Sequence, residues 1–274
     1  MSISFIAKTL LTDSQTSIFY TTCYVGQSKR VFVFLHGLGG EQGAWDAIRQ
    51  QLAAQGDSSV AIDLRGSGKS DRPRLLTDYA LEQTARDVTE VIKKEQLKNV
   101  ILVGHCYGGV VAQYCALEIG TLAGMVLVNA TFKNPSIIEL CKPLLLIVLK
   151  TLVALSSLKH CNRVIQYARY EGSGNLSVMR IASDICHTSS KSYFSLLYNG
   201  LMISLTSRLH AIGCPTLIIS GTNDIFFPPH IARQLNAHIP RSKLVVVAGA
   251  NHPYLFREKN RQILFEQLRS FKIN

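Results

Sequence analysis

The chain has 274 residues, 47% of them hydrophobic and 17% charged, and carries a formal net charge of +11. That length suits one large α/β domain with an insertion, and the composition excludes a disordered chain. The positive charge permits anionic partners, including an acyl carrier or a membrane surface, whereas the lack of a Lys/Arg-rich arm or zinc spacing argues against nucleic acid.

The N-terminal "MSISFIAKTLL" lacks a cationic stretch followed by an apolar core, so a cleaved signal peptide is not expected. "SISFIAKTLL" and "TSIFYTTCYVG" read as an antiparallel opening hairpin. Six short apolar runs follow: "RVFVFLHG", "SVAIDLRG", "NVILVGH", "GMVLVNA", "CPTLIISG" and "SKLVVVAG". None alternates, as expected of strands covered on both faces in a parallel sheet. Helix patterns fall at 44–55, 81–95, 108–119, 229–237 and 261–271, which gives a doubly wound α/β order.

The alternation stops between residues 134 and 205, which read as a helical insert with a break at "EGSGN". Residues 1–133 and 206–274 then form the core, and the insert a lid. Within it, "PLLLIVLKTLVALSSL" is strongly apolar, but its 16 residues include Lys150, and a membrane span needs about 20 apolar residues. A lid helix is the expectation, with Pro143 in its first turn. The seven cysteines are odd in number and contain no C-x-x-C pair, a pattern of free thiols in a reducing compartment. Cytoplasm is the expected location.

"GHCYGG" joins the run "NVILV" to a helix pattern, the context of a nucleophile elbow. A turn this tight forces its central residue into a strained backbone conformation and leaves no room for side chains two positions away. Gly104 and Gly108 meet that demand, and Gly109 lets the helix pack closely. Cys106 then stands above the sheet edge at a helix N-terminus, where its thiol can ionise near neutral pH. The alternative, a small structural thiol, has no need of glycines on both sides; Cys115 in the same segment reads that way.

With "FLHGLGG", "DLRGSGKSD", "GTNDIFFPP" and "AGANHPYLF" in order around "GHCYGG", nearly the whole chain resembles the α/β-hydrolase superfamily. The resemblance implies a mostly parallel eight-stranded sheet flanked by helices, with nucleophile, acid and histidine in that order. The candidates are Cys106, Asp224 and His252, the last two on loops that follow strands. The resemblance also implies an oxyanion hole of the Leu38 and Tyr107 N–H groups, and structural roles for His36 and His105. Arg65 and Asp71 read as a solvated or loop-stabilising pair, not as catalysts. Trp45 is either a core residue or part of the pocket entrance.

The Cys box is similar to those of dienelactone hydrolases and polyhydroxyalkanoate synthases, while the rest of the chain looks more like lidded esterases, haloperoxidases and carbon–carbon hydrolases. The leucines at 144–149 and 152–155 favour a hydrophobic acyl group, though packing onto the core explains them equally well. The expectation is an ester or thioester hydrolase acting through an acyl-cysteine, with no metal or organic cofactor implied. The alternatives are an acyltransferase using the same acyl-enzyme, or a small-molecule receptor that retains the site without turnover.

Overall fold

In the computed structural model, which describes residues 4–120, 122–161 and 163–272, strands β1 (Ile6–Leu11) and β2 (Ser17–Cys23) form the opening hairpin. β2 runs antiparallel to β4 (Ser58–Ile62). From there β3 (Val31–Leu35), β5 (Val100–His105), β6 (Gly124–Val128), β7 (Thr216–Gly221) and β8 (Ser242–Val247) are all parallel. The eight strands make one sheet in the order β1-β2-β4-β3-β5-β6-β7-β8.

The central runs lack alternation because both faces are covered: every residue of β4, β5, β6 and β7 is buried. β8 departs from that expectation. It is the edge strand, bonded only to β7, and stays partly exposed with Lys243 along its length, a common way of blunting an edge. The core splits into two clusters, one on each side of the sheet. Helices α2 (Leu81–Lys94) and α3 (Tyr107–Ile119) belong to one, and α1 (Asp46–Ala54) to the other.

Between β6 and β7 the chain leaves the sheet and forms α4 (Ser136–Leu155), α5 (Val178–Thr188) and α6 (Ser190–Gly200). An isolated bridge between Lys133 and Ser204, with Leu205 N–H donating to the Phe132 carbonyl, ties the exit to the return. Pro143 lies inside α4, not in its first turn. The helix starts at Ser136, after Pro135, and Pro143 is on its exposed side, so the carbonyl that loses its partner faces water. The chain returns through β7 to α7 (Pro229–His238), which starts on its proline, then β8 and α8 (Glu258–Ser270). Among the described residues no helix is long and apolar enough to cross a membrane.

The expected Arg65–Asp71 pair is not formed. Arg65 instead makes a two-pronged contact with Asp87 of α2, with Nε–Oδ2 2.6 Å and Nη2–Oδ1 2.5 Å, while Asp71 accepts the Ser17 N–H. Arg65 and Asp87 are almost wholly buried, and burial raises Asp87 to about 6 despite Arg65 beside it. Truncating one partner strands a buried charge, which costs about 3–5 kcal/mol. Asp87→Ala is therefore expected to lose that much stability in urea unfolding. A loss within about 0.5 kcal/mol, the range of an ordinary surface substitution, would mean that the pair is energetically idle.

Candidate active site

β5 delivers Cys106 to the C-terminal edge of the sheet, and α3 begins one residue later. Cys106 has φ 51° and ψ −116°, a conformation that costs a non-glycine residue about 1–3 kcal/mol. It persists because the surroundings leave no alternative. A Cβ on Gly104 would strike the Gly108 backbone, and one on Gly108 would strike the carbonyls of Leu35 and His36. The Cys106 N–H donates to the Val128 carbonyl, and its own carbonyl accepts from Gly109 and Val110. The thiol is half-buried, whereas Cys115 is fully buried in the core.

His252 follows β8 and is fixed at several points. Its Nδ1–H donates to Asp224 Oδ2 at 2.8 Å, which leaves Nε2 free toward the cavity that His252 and Cys106 line together. The other Asp224 oxygen accepts the Phe226 and Phe227 N–H groups at 2.9 Å each, and both phenyl rings pack edge-on against the imidazole. The backbone is pinned too. His252 N–H donates to Asn175 Oδ1 at 2.7 Å, and the carbonyl accepts from His105 Nε2 at 2.9 Å and Asn129 Nδ2 at 3.2 Å. Burial opposes protonation of His252, but the Cys106 sulfur and the Asp224 carboxylate outweigh it and raise the ring above its ordinary range. The structure thus brings Cys106, Asp224 and His252 together.

The two other motif histidines are held neutral. His36 donates from Nδ1 to the Gly37 carbonyl and accepts the Leu64 N–H at Nε2; burial lowers it to about 4. His105 is lowered to about 3, first by burial and then by the charge of His252. His36 has both ring nitrogens committed and His105 its Nε2, and with so little affinity for a proton each ring braces loops and is a poor base. Leu38 lines the cavity over Cys106 and Tyr107 opens α3; among the described residues neither N–H enters a backbone hydrogen bond. Trp45 does not reach that cavity. It is fully buried beneath the sheet against Phe34, with ring centroids 4.9 Å apart.

The wall opposite Cys106 comes from the insert. Tyr167, Arg180 and Asp184 line the cavity with Leu38, Pro253 and Leu255. Arg180 bonds Asp184 at 3.2 Å and the Asn175 carbonyl at 3.1 Å, while its buried Nε–H has no partner among the described residues. Burial lifts Asp184 to about 7 against the pull of Arg180. The leucines that favoured a hydrophobic acyl group are elsewhere. Leu144, Ile147, Val148, Leu152 and Leu155 are exposed on the outside of α4, because that helix turns Leu149 and Val153 inward. No residue of α4 lines the cavity, so its apolar content is no guide to the acyl group.

Sequence reasoning missed Arg180, Asp184, Asn175 and Asn129. Only Asn129 had a signal, as a polar residue ending the apolar run "GMVLVNA". Its φ is 44°, a conformation that asparagine tolerates better than most residues, and its amide also bonds the Asn251 carbonyl and the Gly221 N–H.

The sheet order and the elbow define an α/β-hydrolase fold. The chain belongs to the serine aminopeptidase S33 family, whose model matches residues 26–260, and it is an enzyme of the hydrolase class. It is 30% identical over 256 residues to the AB hydrolase superfamily protein YisY of Bacillus subtilis, covering 85% of this chain and 88% of that protein. Two solved structures share the fold. The enol-lactonase from Burkholderia xenovorans LB400 has TM-score 0.75 and 20% identity, covering 96% of this chain and 98% of the other. The esterase EaEST from Exiguobacterium antarcticum has TM-score 0.71 and 22% identity, covering 98% of each chain.

Asn129→Ala removes three hydrogen bonds and places alanine in a conformation it disfavours. It is expected to destabilise the protein by about 2–3 kcal/mol in chemical denaturation. An unchanged midpoint would mean that Asn129 does not secure the His252 loop.

Proposed function

We propose that this hydrolase cleaves an ester or thioester through an acyl-cysteine on Cys106. The observation that carries the reading is the His252 ring, bonded through Nδ1 to Asp224 and sharing one cavity with Cys106, together with the Leu38 and Tyr107 N–H groups that enter no backbone hydrogen bond among the described residues. The Cys106 thiolate attacks the carbonyl carbon, and the developing oxyanion is held by the Leu38 and Tyr107 N–H groups. As the tetrahedral centre collapses, His252 gives its proton to the departing alcohol or thiol, leaving a thioester on Cys106. Water then adds to that thioester while His252 takes its proton. Collapse expels the Cys106 thiolate and frees the acid, leaving on His252 the proton taken from water as at the start of the cycle, while Asp224 holds the ring in place throughout.

Two features define the substrate in this reading. The cavity over Cys106 holds about 50 Å³, room for about one or two water molecules, so a substrate enters only when the insert moves as a lid. The insert's contribution to the wall is polar, with the Arg180 Nε–H and the Asp184 carboxyl offering a donor and an acceptor to the acyl group. An acyl chain with a carbonyl or hydroxyl near its far end suits that wall better than a plain hydrocarbon. The seven free thiols, with Cys106 among them, suit a cytoplasmic setting.

Three outcomes test this. Cys106→Ala is expected to lower kcat/KM for activated short-chain esters and thioesters by at least about 10³-fold; retained turnover would remove the thiol from the reaction. Arg180→Met keeps the packing stem but removes the donor. It is expected to cost about tenfold or more in kcat/KM on a levulinate ester while changing a pentanoate ester far less; equal losses on both would deny Arg180 a part in selection. Because sulfur and carboxylate raise His252, its proton is retained through neutral pH and lost only as pH climbs past the raised value. The alkaline limb of kcat/KM is therefore expected well above the ordinary histidine range near 6.5. A limb near that value would mean that the sulfur and the carboxylate do not raise His252.

A further inference from the structure

α4 carries the least expected surface of the molecule. Ile137, Leu140, Leu144, Ile147, Val148, Leu152 and Leu155 recur at three- and four-residue steps, and every one is exposed, from 36% at Leu152 to 82% at Leu155. On a helix of 3.6 residues per turn these positions, with Cys141, Pro143 and Ala154, form one apolar face around about half the circumference, broken only by Thr151, whose hydroxyl donates back to the Ile147 carbonyl. Only Leu149 and Val153 are buried, on the opposite side. A soluble protein seldom leaves so long an apolar stripe uncovered without a partner for it.

The charges on the helix and in the stretch that follows it point to the partner. From residue 140 to 170 the sequence contains Lys142, Lys150, Lys159, Arg163 and Arg169 and not one Asp or Glu. Lys142 pairs with Glu139 at the start of the helix. Lys150, Lys159, Arg163 and Arg169 are exposed and form no ion pair among the described residues. A second copy of the chain would set Lys150 and a net charge of +11 on each molecule against their own kind. A surface that is apolar within and negatively charged outside satisfies both features.

We propose that the outer face of α4 docks on an anionic lipid surface. The helix lies in the interfacial plane, its leucines and isoleucines enter the acyl boundary, and Lys150 and the cations that follow the helix meet the headgroups. Leu149 and Val153 keep it attached to the protein. This docking does not depend on the chemistry at Cys106, since none of the residues invoked lines that cavity.

The test is co-sedimentation of the full chain with vesicles of about three parts phosphatidylcholine to one part phosphatidylserine, and with phosphatidylcholine alone. The chain is expected to bind the mixed vesicles preferentially, and less as salt rises. The combined Leu140→Glu, Leu144→Glu and Ile147→Glu variant is expected to bind at least about tenfold more weakly, with unchanged thermal unfolding and unchanged hydrolysis of a soluble ester. The combined Lys150→Glu, Lys159→Glu and Arg163→Glu variant is expected to lose the preference for phosphatidylserine. An independent readout is Leu140→Trp. The single native tryptophan, Trp45, is fully buried, so the added indole should report a blue shift on mixed vesicles. The proposal is overturned if the unaltered chain stays in the supernatant, if the Glu variant binds as tightly as the parent, or if the Trp emission does not move. It is also overturned if sedimentation velocity finds a dimer that the Glu variant dissolves, which would assign the face to a second copy.

Discussion

The crowding between β3, β5 and the start of α3 is the constraint on which the rest of the site depends. Gly108 lies against the carbonyls of Leu35 and His36, and Gly104 against the backbone of Gly108 itself. No side chain fits at either position, so the chain reverses from strand to helix within one residue. That residue, Cys106, takes up the strain at φ 51°. The same packing fixes the "HG" loop relative to the elbow, so the N–H groups of Leu38 and Tyr107 and the sulfur belong to one rigid unit.

Against that unit the structure holds a histidine that cannot easily drift. His252 is bonded through its ring to Asp224, through its N–H to Asn175 of the insert, and through its carbonyl to His105 and Asn129. Each anchor comes from a different part of the chain: the loop after β7, the insert, the end of β5 and the end of β6. Asn175 also donates to the Asn223 carbonyl beside Asp224. The insert therefore contacts both the acid loop and the histidine loop. Under the proposed mechanism, any movement that admits substrate is felt at His252 through this one side chain. Glu41 adds a second tie, from the loop after Leu38 to the backbone of Ile165.

Much of this was legible in the sequence because physics repeats it in short stretches. Buried parallel strands need unbroken apolar runs, and an elbow needs glycines on either side of its apex. The loops that carry Asp224 and His252 follow strands, so the sheet alone brings them to one edge. What was illegible depends on partners distant in the chain. Arg65 has Asp71 six residues away but bonds Asp87 on a neighbouring helix, since only that carboxylate shares its buried position. Arg180 and Asp184 look like any i,i+4 surface pair until α5 turns them over Cys106. The apolar run of α4 read as pocket lining or core, because composition cannot say which side of a helix faces inward.

The central claim is that sulfur, not a carboxylate or an activated water, makes the first bond to substrate. Rapid quenching in acid after mixing with an activated short-chain thioester, followed by peptide mass analysis, tests it most directly. The account predicts the acyl mass on the peptide containing Cys106, persisting longer when His252 is replaced by alanine. Turnover with no acyl mass on that peptide, or the mass on another cysteine, would contradict it.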